Sequence, residues 1–366
     1  MTLPVEETEV LVVGGGCAGL TVASRLALRG HGVTVVSCAT PATALSTGQI
    51  LLDVNDRSAE EWASFFMAQF RRQGAYYELS RTPIIGLTNL GTTAPRSISS
   101  PLFDWTAQDK NVAVVGIVGN DDFYPDLVCH ELYRTHRAKA KPYWLTPSAS
   151  PELDSEGFIE EVGDALMDLP ESIAVLPPLP SRTPYGLLAE LRKRTGRRVV
   201  EPATPLSWPG RRFQRLMENT AAMMGVRILK DRRMVALRIE KGRAVEATLS
   251  SGARAQEVRF NTLVLATGGL ISGGLAVKGT EVVDPLGLFQ VETAPGNGIA
   301  SPSLRSALSA GLSTHHGRPI TRQGEELTNV VVAGSIHCGL SHPLGQGLGA
   351  VLVHAWKAAQ RAEEVL

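Results

Sequence analysis

Cysteine is scarce in this chain. Cys17, Cys38, Cys129 and Cys338 are scattered, with no C-x-x-C pair among them. That spacing argues against a disulfide framework and against an iron–sulfur cluster ligated by this chain alone; it suits free thiols in a reducing compartment. Net charge is absent too, with 36 basic residues against 36 acidic ones, so no global field points to nucleic acid. No run approaches the ~20 uninterrupted apolar residues that a membrane span needs. Met1 leads into acidic Glu6, Glu7 and Glu9 with no basic segment before an apolar core, so no secretory leader is read there. The expectation is a cytoplasmic, non-spanning protein whose contact with the inner face of the cell membrane, if it has one, is peripheral.

What is present begins with the run from Glu9 to Val13, a β-branched apolar stretch of the kind that forms a buried parallel strand. It breaks into Gly14-Gly15-Gly16-Cys17-Ala18-Gly19 and then into a helical pattern from Leu20 to Arg29. Gly14, Gly16 and Gly19 occupy the G-x-G-x-x-G positions, where the first permits a tight turn, the second admits a pyrophosphate and the third lets the helix pack closely. The helix N-terminus then offers free N–H groups and a positive dipole end to phosphate. A second strand follows at His31–Val36. One piece is missing. About 20 residues past such glycines an Asp or Glu normally binds the adenosine ribose. Here the place is held by Val36-Ser37-Cys38. Ser37 is a weaker acceptor than a carboxylate, so the phosphate site reads as intact and the adenosine site as weakened.

The 366 residues, 43% of them hydrophobic, suit a two-lobed α/β protein with a sizeable core. The reading is a Rossmann-like flavin-binding domain of the glutathione-reductase type, formed by 1–99 and 211–366, with an inserted α/β lobe at 100–210. After the first βαβ unit, Ser46-Thr47-Gly48 lies in a small-residue loop, either an ordinary ST-turn or a backbone cradle for a phosphate or ring edge. A helix is expected at 59–80 and a hairpin at 87–99. A strand at 112–119 leads to a helix around 127–137, and further helices are expected at 155–167, 186–193 and 213–224. Strands at 234–240, 243–249 and 256–260 form an antiparallel meander joined by Lys241-Gly242 and Ser251-Gly252, which are hairpin-type turns. A separate strand, Thr262–Leu265, ends in Ala266-Thr267-Gly268-Gly269, where small residues suit backbone lying against a cofactor. Near the end, Val330-Val331-Val332-Ala333-Gly334-Ser335 is followed by Gly345-Gln346-Gly347 and a helix at 350–362. A helix dipole there would face the N1/C2 edge of a flavin and favour its anionic reduced form.

These motifs together resemble a known family, the B subunit of the anaerobic glycerol-3-phosphate dehydrogenase. The resemblance is carried by the first glycine loop, Ser46-Thr47-Gly48, Leu176-Pro177-Pro178-Leu179-Pro180, Ser272-Gly273-Gly274-Leu275, Asp284-Pro285-Leu286-Gly287-Leu288, Gly334-Ser335 and Gly345-Gln346-Gly347. It implies a flavoprotein subunit carrying FMN, with FAD as the alternative. It also implies a separate FAD-containing catalytic subunit that oxidises glycerol 3-phosphate and an iron–sulfur subunit leading to quinone. The missing carboxylate at Ser37 agrees with FMN, which has no adenosine. A stand-alone flavin dehydrogenase and a cofactor-free structural subunit are the other readings.

Chemistry-bearing residues are few. His315, His316, His337 and His342 gather near the C-terminus without a complete metal spacing. His337 and His342 are the candidates to move a proton beside a flavin, since imidazole titrates near working pH; packing or surface roles are the plainer reading. Cys338 lacks a nearby partner cysteine. Arg96, Arg182 and Arg318 are candidates to hold an anionic substrate bidentately, and nothing in their spacing selects one. The basic clusters Arg192-Lys193-Arg194 with Arg197-Arg198, and Arg211-Arg212-Arg215, read as solvated helix faces or as a docking surface.

Overall fold

The computed structural model describes residues 5–99, 105, 110–180, 184–206, 208–293, 307–340 and 347–366. The chain divides into two compact units. The first comprises Met1–Thr43, Asn55–Trp62 and Gln214–Leu366, and the second comprises Ala44–Val54 and Ala63–Phe213. The expected lobe at 100–210 thus belongs to a larger unit that also takes in 44–54 and 63–99.

The first unit is built on a seven-stranded sheet. Its centre is the strand Glu6–Val13, buried from Val10 onward because all four residues to Val13 are aliphatic. It pairs in parallel with Val33–Ser37 on one side and with Arg254–Leu265 on the other. Val33–Ser37 in turn pairs in parallel with Arg227–Lys230. Where two strands were expected at 256–260 and 262–265, a single strand runs from Arg254 to Leu265. Its first half closes the antiparallel meander with Arg243–Ser251, and its last residues pair in parallel with Val330–Val332. Asn261, between the two expected strands, is exposed and lies within this one strand. The alternation of the strands puts Leu11, Val13, Leu263, Leu265, Val330 and Val332 into one apolar core.

The helix Cys17–Leu28 follows the first strand, and its Cys17–Leu26 stretch is wholly buried. It packs on the last helix, Gly347–Glu364. Arg25 ties the two together: its guanidinium lies 4.3 Å from the centre of the Trp356 ring and donates to the Trp356 carbonyl at 2.9 Å.

The second unit holds a four-stranded, all-parallel sheet in the order Lys139–Leu145, Asn111–Ile117, Ile173–Val175, Arg198–Val200. Its two faces are both covered, as parallel sheets require. Val112 and Val114 join Phe123, Val128 and Leu132 on one face, while Ala113 and Val115 join Phe158, Leu166 and Leu188 on the other. The strand Lys139–Leu145 carries Pro142 and alternating polar residues, which hide it in the sequence; it sits at the sheet edge, where proline is tolerated. The helix expected at 59–80 spans Arg57–Arg72 and ends at Gly74, whose φ of +78° stops it. The residues after it belong to a hairpin longer than expected, Glu78–Leu87 with Thr93–Ser99. Among the described residues no helix is long and apolar enough to cross a membrane.

Candidate functional site

Three segments distant in sequence meet in the first unit: the glycine loop, the turn after Leu265 and the turn after Val332. The contacts are so close that they demand glycine. A Cβ on Gly14, at φ +123°, would lie 2.0 Å from the Ala266 carbonyl oxygen. One on Gly334, at φ +75°, would lie 2.4 Å from the Ala18 Cβ. Gly268 has φ +73°, and a Cβ there would lie 2.5 Å from the Ser272 Oγ and 3.6 Å from the Ser335 Oγ. Gly19 packs the helix onto the loop, for its Cβ would strike the Gly14 carbonyl oxygen at 1.9 Å. Gly16, by contrast, has ordinary extended geometry, and the nearest atom to a Cβ there is the Thr43 Oγ1 at 3.3 Å. The loop thus has three tightly packed glycines, Gly14, Gly15 and Gly19, while Gly16 is the least crowded of its four.

Two side chains finish this loop that the sequence did not single out. The Cys17 N–H donates to the Thr43 hydroxyl at 2.9 Å, which satisfies one of the free N–H groups at the helix start. The Gln214 amide donates to the Gly15 carbonyl at 2.7 Å and to the Glu218 carboxylate at 2.8 Å. Burial pushes the Cys17 thiol up to about 11, with the Thr43 hydrogen bond opposing, so it is no thiolate nucleophile at neutral pH. Ser37 ends the second strand beside Gly15, where a Cβ would be 2.7 Å from the Ser37 Cβ. Its hydroxyl donates to the Ala39 carbonyl at 3.3 Å.

The C-terminal part of the site centres on a histidine pair. The Gly334 N–H donates to the His354 Nδ1 at 3.1 Å. His354 belongs to the last helix; burial, and then the nearby His337, Arg361 and Lys357, push its pKa down to about 3, so the ring is neutral. Its Nε2 has no partner. The His337 ring lies 4.6 Å from that of His354, with both nitrogens engaged: Nε2 with the Thr314 hydroxyl at 3.1 Å and Nδ1 with the Cys338 carbonyl at 2.6 Å. Facing a carbonyl, Nδ1 carries a proton, and Nε2 shares a hydrogen bond with the Thr314 hydroxyl. Gly347 opens the last helix. His342, Gly345, Gln346 and Arg182 lie outside the described residues.

The motif Asp284–Leu288 proves to be a turn built on one carboxylate. Asp284 accepts from the N–H groups of Leu286 at 3.2 Å, Leu288 at 2.8 Å and Phe289 at 3.1 Å. Among the described residues no group of three or more His, Cys, Asp or Glu side chains is placed to hold a metal.

Ser46, Thr47 and Gly48 belong to the second unit, which has a cleft of its own. Thr47 and Gly48 line it with Gln49, Arg96, Glu201 and Arg212. Arg212 donates to the Glu201 Oε1, and to the Leu179 carbonyl at 3.2 Å. Burial raises the pKa of Glu201, while Arg212 opposes that shift. Of the arginine candidates, Arg96 is buried in this cleft, whereas Arg318 pairs with Glu326 at 3.0 Å on a small hairpin of the first unit. Arg212 turns inward from its basic cluster. In the other cluster Arg194 pairs with Asp164 and Arg197 binds the Met167 carbonyl at 3.1 Å, so both serve the second unit internally.

Residues 9–301 match the family model described as an FAD binding domain. The chain is 24% identical to the B subunit of the anaerobic glycerol-3-phosphate dehydrogenase of Yersinia enterocolitica, over 93% of this chain and 94% of that one. It is 23% identical to the protein of the same name from Actinobacillus pleuropneumoniae, over 76% of this chain and 72% of that one. Among solved structures, the 3-ketosteroid-delta4-(5alpha)-dehydrogenase of Rhodococcus jostii RHA1 aligns over 98% of this chain and 96% of its own, at 14% identity and a TM-score of 0.40. The matched domain is one for FAD, so the FMN implied by the family resemblance has no support in it. With its parallel sheet, its glycine loop and a match over most of its length, the chain belongs to the FAD binding domain family.

Proposed function

We propose that this chain is a flavin-bearing subunit of a multi-subunit dehydrogenase, holding FAD and passing electrons from a small-molecule donor such as glycerol 3-phosphate towards an iron–sulfur and quinone chain. A catalytic subunit and an iron–sulfur subunit would be its partners, and contact with the membrane would be through them. The observation that carries this reading is the convergence of Gly14, Ala266 and Gly334 at van der Waals limits on one loop and helix start. The relatives, each named as one subunit of a dehydrogenase, support the assignment to a complex.

In this reading the N–H groups of Gly15, Gly16 and Ala18 and the positive helix end bind the pyrophosphate, with the Cys17 N–H already committed to Thr43. Ser37 offers its hydroxyl to the ribose. The backbone of Ala266, Thr267, Gly268, Gly334 and Ser335 would hold the flavin ring. A bound flavin supplies two-electron acceptance and stepwise release. The protein's own part is to fix the Gly334 turn through a neutral His354 and to give His337 a proton path along the Thr314 hydroxyl.

The test is the absorbance spectrum of the purified chain, then chromatography of the flavin released by heat. FAD is expected. Absence of any flavin after reconstitution would overturn the reading. The cleft with Arg96 and Arg212 favours a second reading, a dehydrogenase active alone. Only that version reduces a dye with substrate when no other subunit is present.

A further inference from the structure

Gln214 and Glu218 stand one turn apart on the helix Trp208–Met223, so their side chains share a face. The Gln214 Nε2 donates to the Gly15 carbonyl at 2.7 Å and to the Glu218 carboxylate at 2.8 Å. Glu218 is tied in turn to Lys230, whose Nζ donates to it at 2.7 Å. Lys230 lies directly across from Ser37 in the parallel pairing of Val33–Ser37 with Arg227–Lys230. Gly15 meets the same place, since a Cβ on it would lie 2.9 Å from the Ser37 Oγ. Position 37 lacks a carboxylate, and an amide backed by a glutamate reaches the same strand end from a helix.

One atom of this group is unmatched. Gln214 is 5% exposed, and among the described residues nothing donates to its Oε1. A buried amide oxygen without a donor is destabilising, and a methionine at this position would avoid the cost. Both Nε2 protons go to acceptors, so the two ends of the amide cannot be exchanged. The Glu218 charge on the Nε2 side polarises the amide and makes Oε1 a stronger acceptor. A phosphate offers this oxygen nothing but further acceptors. The group that matches it must bring an O–H or N–H, and at the end of the second strand of a βαβ unit that group is the adenosine ribose.

We infer that Gln214 selects the adenosine half of FAD: its Oε1 accepts from one hydroxyl of the adenosine ribose, and Glu218 fixes the amide for that purpose. The ribose has a second hydroxyl for Ser37, whose Oγ is free to accept because its own proton goes to the Ala39 carbonyl. The task of one carboxylate is divided between a serine and a glutamine from a distant segment. The inference rests on the proposed FAD site and adds to it a residue that tells FAD from FMN, which has no adenosine.

The experiment is fluorescence titration of the full chain, freed of flavin, with FAD and with two FAD analogues lacking either the 2′ or the 3′ hydroxyl of the adenosine ribose. One analogue should bind at least fivefold more weakly than FAD, because it leaves Oε1 unmatched. Gln214→Met should lose at least fivefold in FAD affinity and should bind FAD and that analogue alike. If Gln214 merely supports the Gly15 loop, the variant weakens both ligands and their ratio stays, which overturns the inference. Because Gln214→Met also removes the bond to Gly15 and its folding can suffer, Gln214→Glu is the second variant. It keeps an acceptor in place and should keep the native ratio; a ratio of one there also overturns the inference. Equal binding of FAD and both analogues by the native chain overturns it while leaving the FAD site standing. Binding of no flavin at all overturns the FAD site and this inference together.

Discussion

The Gly334 amide donates to the His354 Nδ1 at 3.1 Å, joining the turn after one strand to the interior of the last helix. A ring nitrogen that accepts such a bond must be unprotonated, and burial keeps His354 so down to about pH 3. In the unfolded chain the same imidazole titrates near 6.5. Between these values the unfolded state binds the extra proton, so stability rises with pH across the window and falls as pH drops from about 6.5 towards 3. The slope from this residue is at most about 1.4 kcal/mol per pH unit. Urea unfolding at several pH values should show it, and His354→Gln should flatten it while keeping an acceptor for Gly334. A pH dependence identical in the two proteins would remove His354 from the account.

Gly14 and Gly16 should separate folding from cofactor binding. Gly14→Ala places a Cβ 2.0 Å from the Ala266 carbonyl oxygen at φ +123°. The strain and clash should cost about 3 kcal/mol or more. Gly16→Ala meets nothing nearer than 3.3 Å and should lower stability by only about 0.5 kcal/mol. If the proposed pyrophosphate site is right, its flavin affinity should nonetheless fall at least tenfold, because the methyl is added at the second glycine of the motif, where backbone must approach the phosphate. Unfolding curves and flavin titrations on both variants check this.

In the proposed reading Ser37, at the end of the second strand, takes the place where a carboxylate would bind the ribose. Ser37→Glu should tighten FAD binding by about fivefold, since a charge-assisted hydrogen bond exceeds a neutral one by about 1 kcal/mol. FMN binding should not change. Equal gains for both flavins would mean that the residue does not face the adenosine side.

Asp284 receives N–H bonds from Leu286, Leu288 and Phe289 while itself buried. Asp284→Ala should cost about 2–4 kcal/mol by leaving these donors in an apolar setting, and Asp284→Asn about half as much. Thermal unfolding measures both. Unchanged stability would show that water replaces the carboxylate there.

Local features were legible in the chain itself. A β-branched run, three glycines at fixed spacing and a following apolar helix pattern determined the first βαβ unit, because strand, turn and helix preferences there all agree and act over a few residues. The edge strand Lys139–Leu145 was hidden, since its Pro142 is allowed only by a position at the sheet edge that no local pattern reports. The strand Arg254–Leu265 read as two, a meander strand and a buried strand, and pairing with both Glu6–Val13 and Arg243–Ser251 holds it as one.

The site divided the same way. Gly14, Gly19 and Gly334 could be picked from sequence because glycine is required wherever backbone meets backbone, and the motif marks those places. Arg96, Arg212, Glu201 and Gln49 could not be grouped, since they lie on separate elements and carry no common spacing. Nor could His354, an unremarked residue of a helical pattern. Which arginine is buried, which histidine accepts from a glycine amide, and which amide oxygen lacks a donor are properties of chain packing at long range. They arise only when side chains from distant segments are brought into the same low-dielectric space, where an unmatched polar atom carries a large free-energy cost.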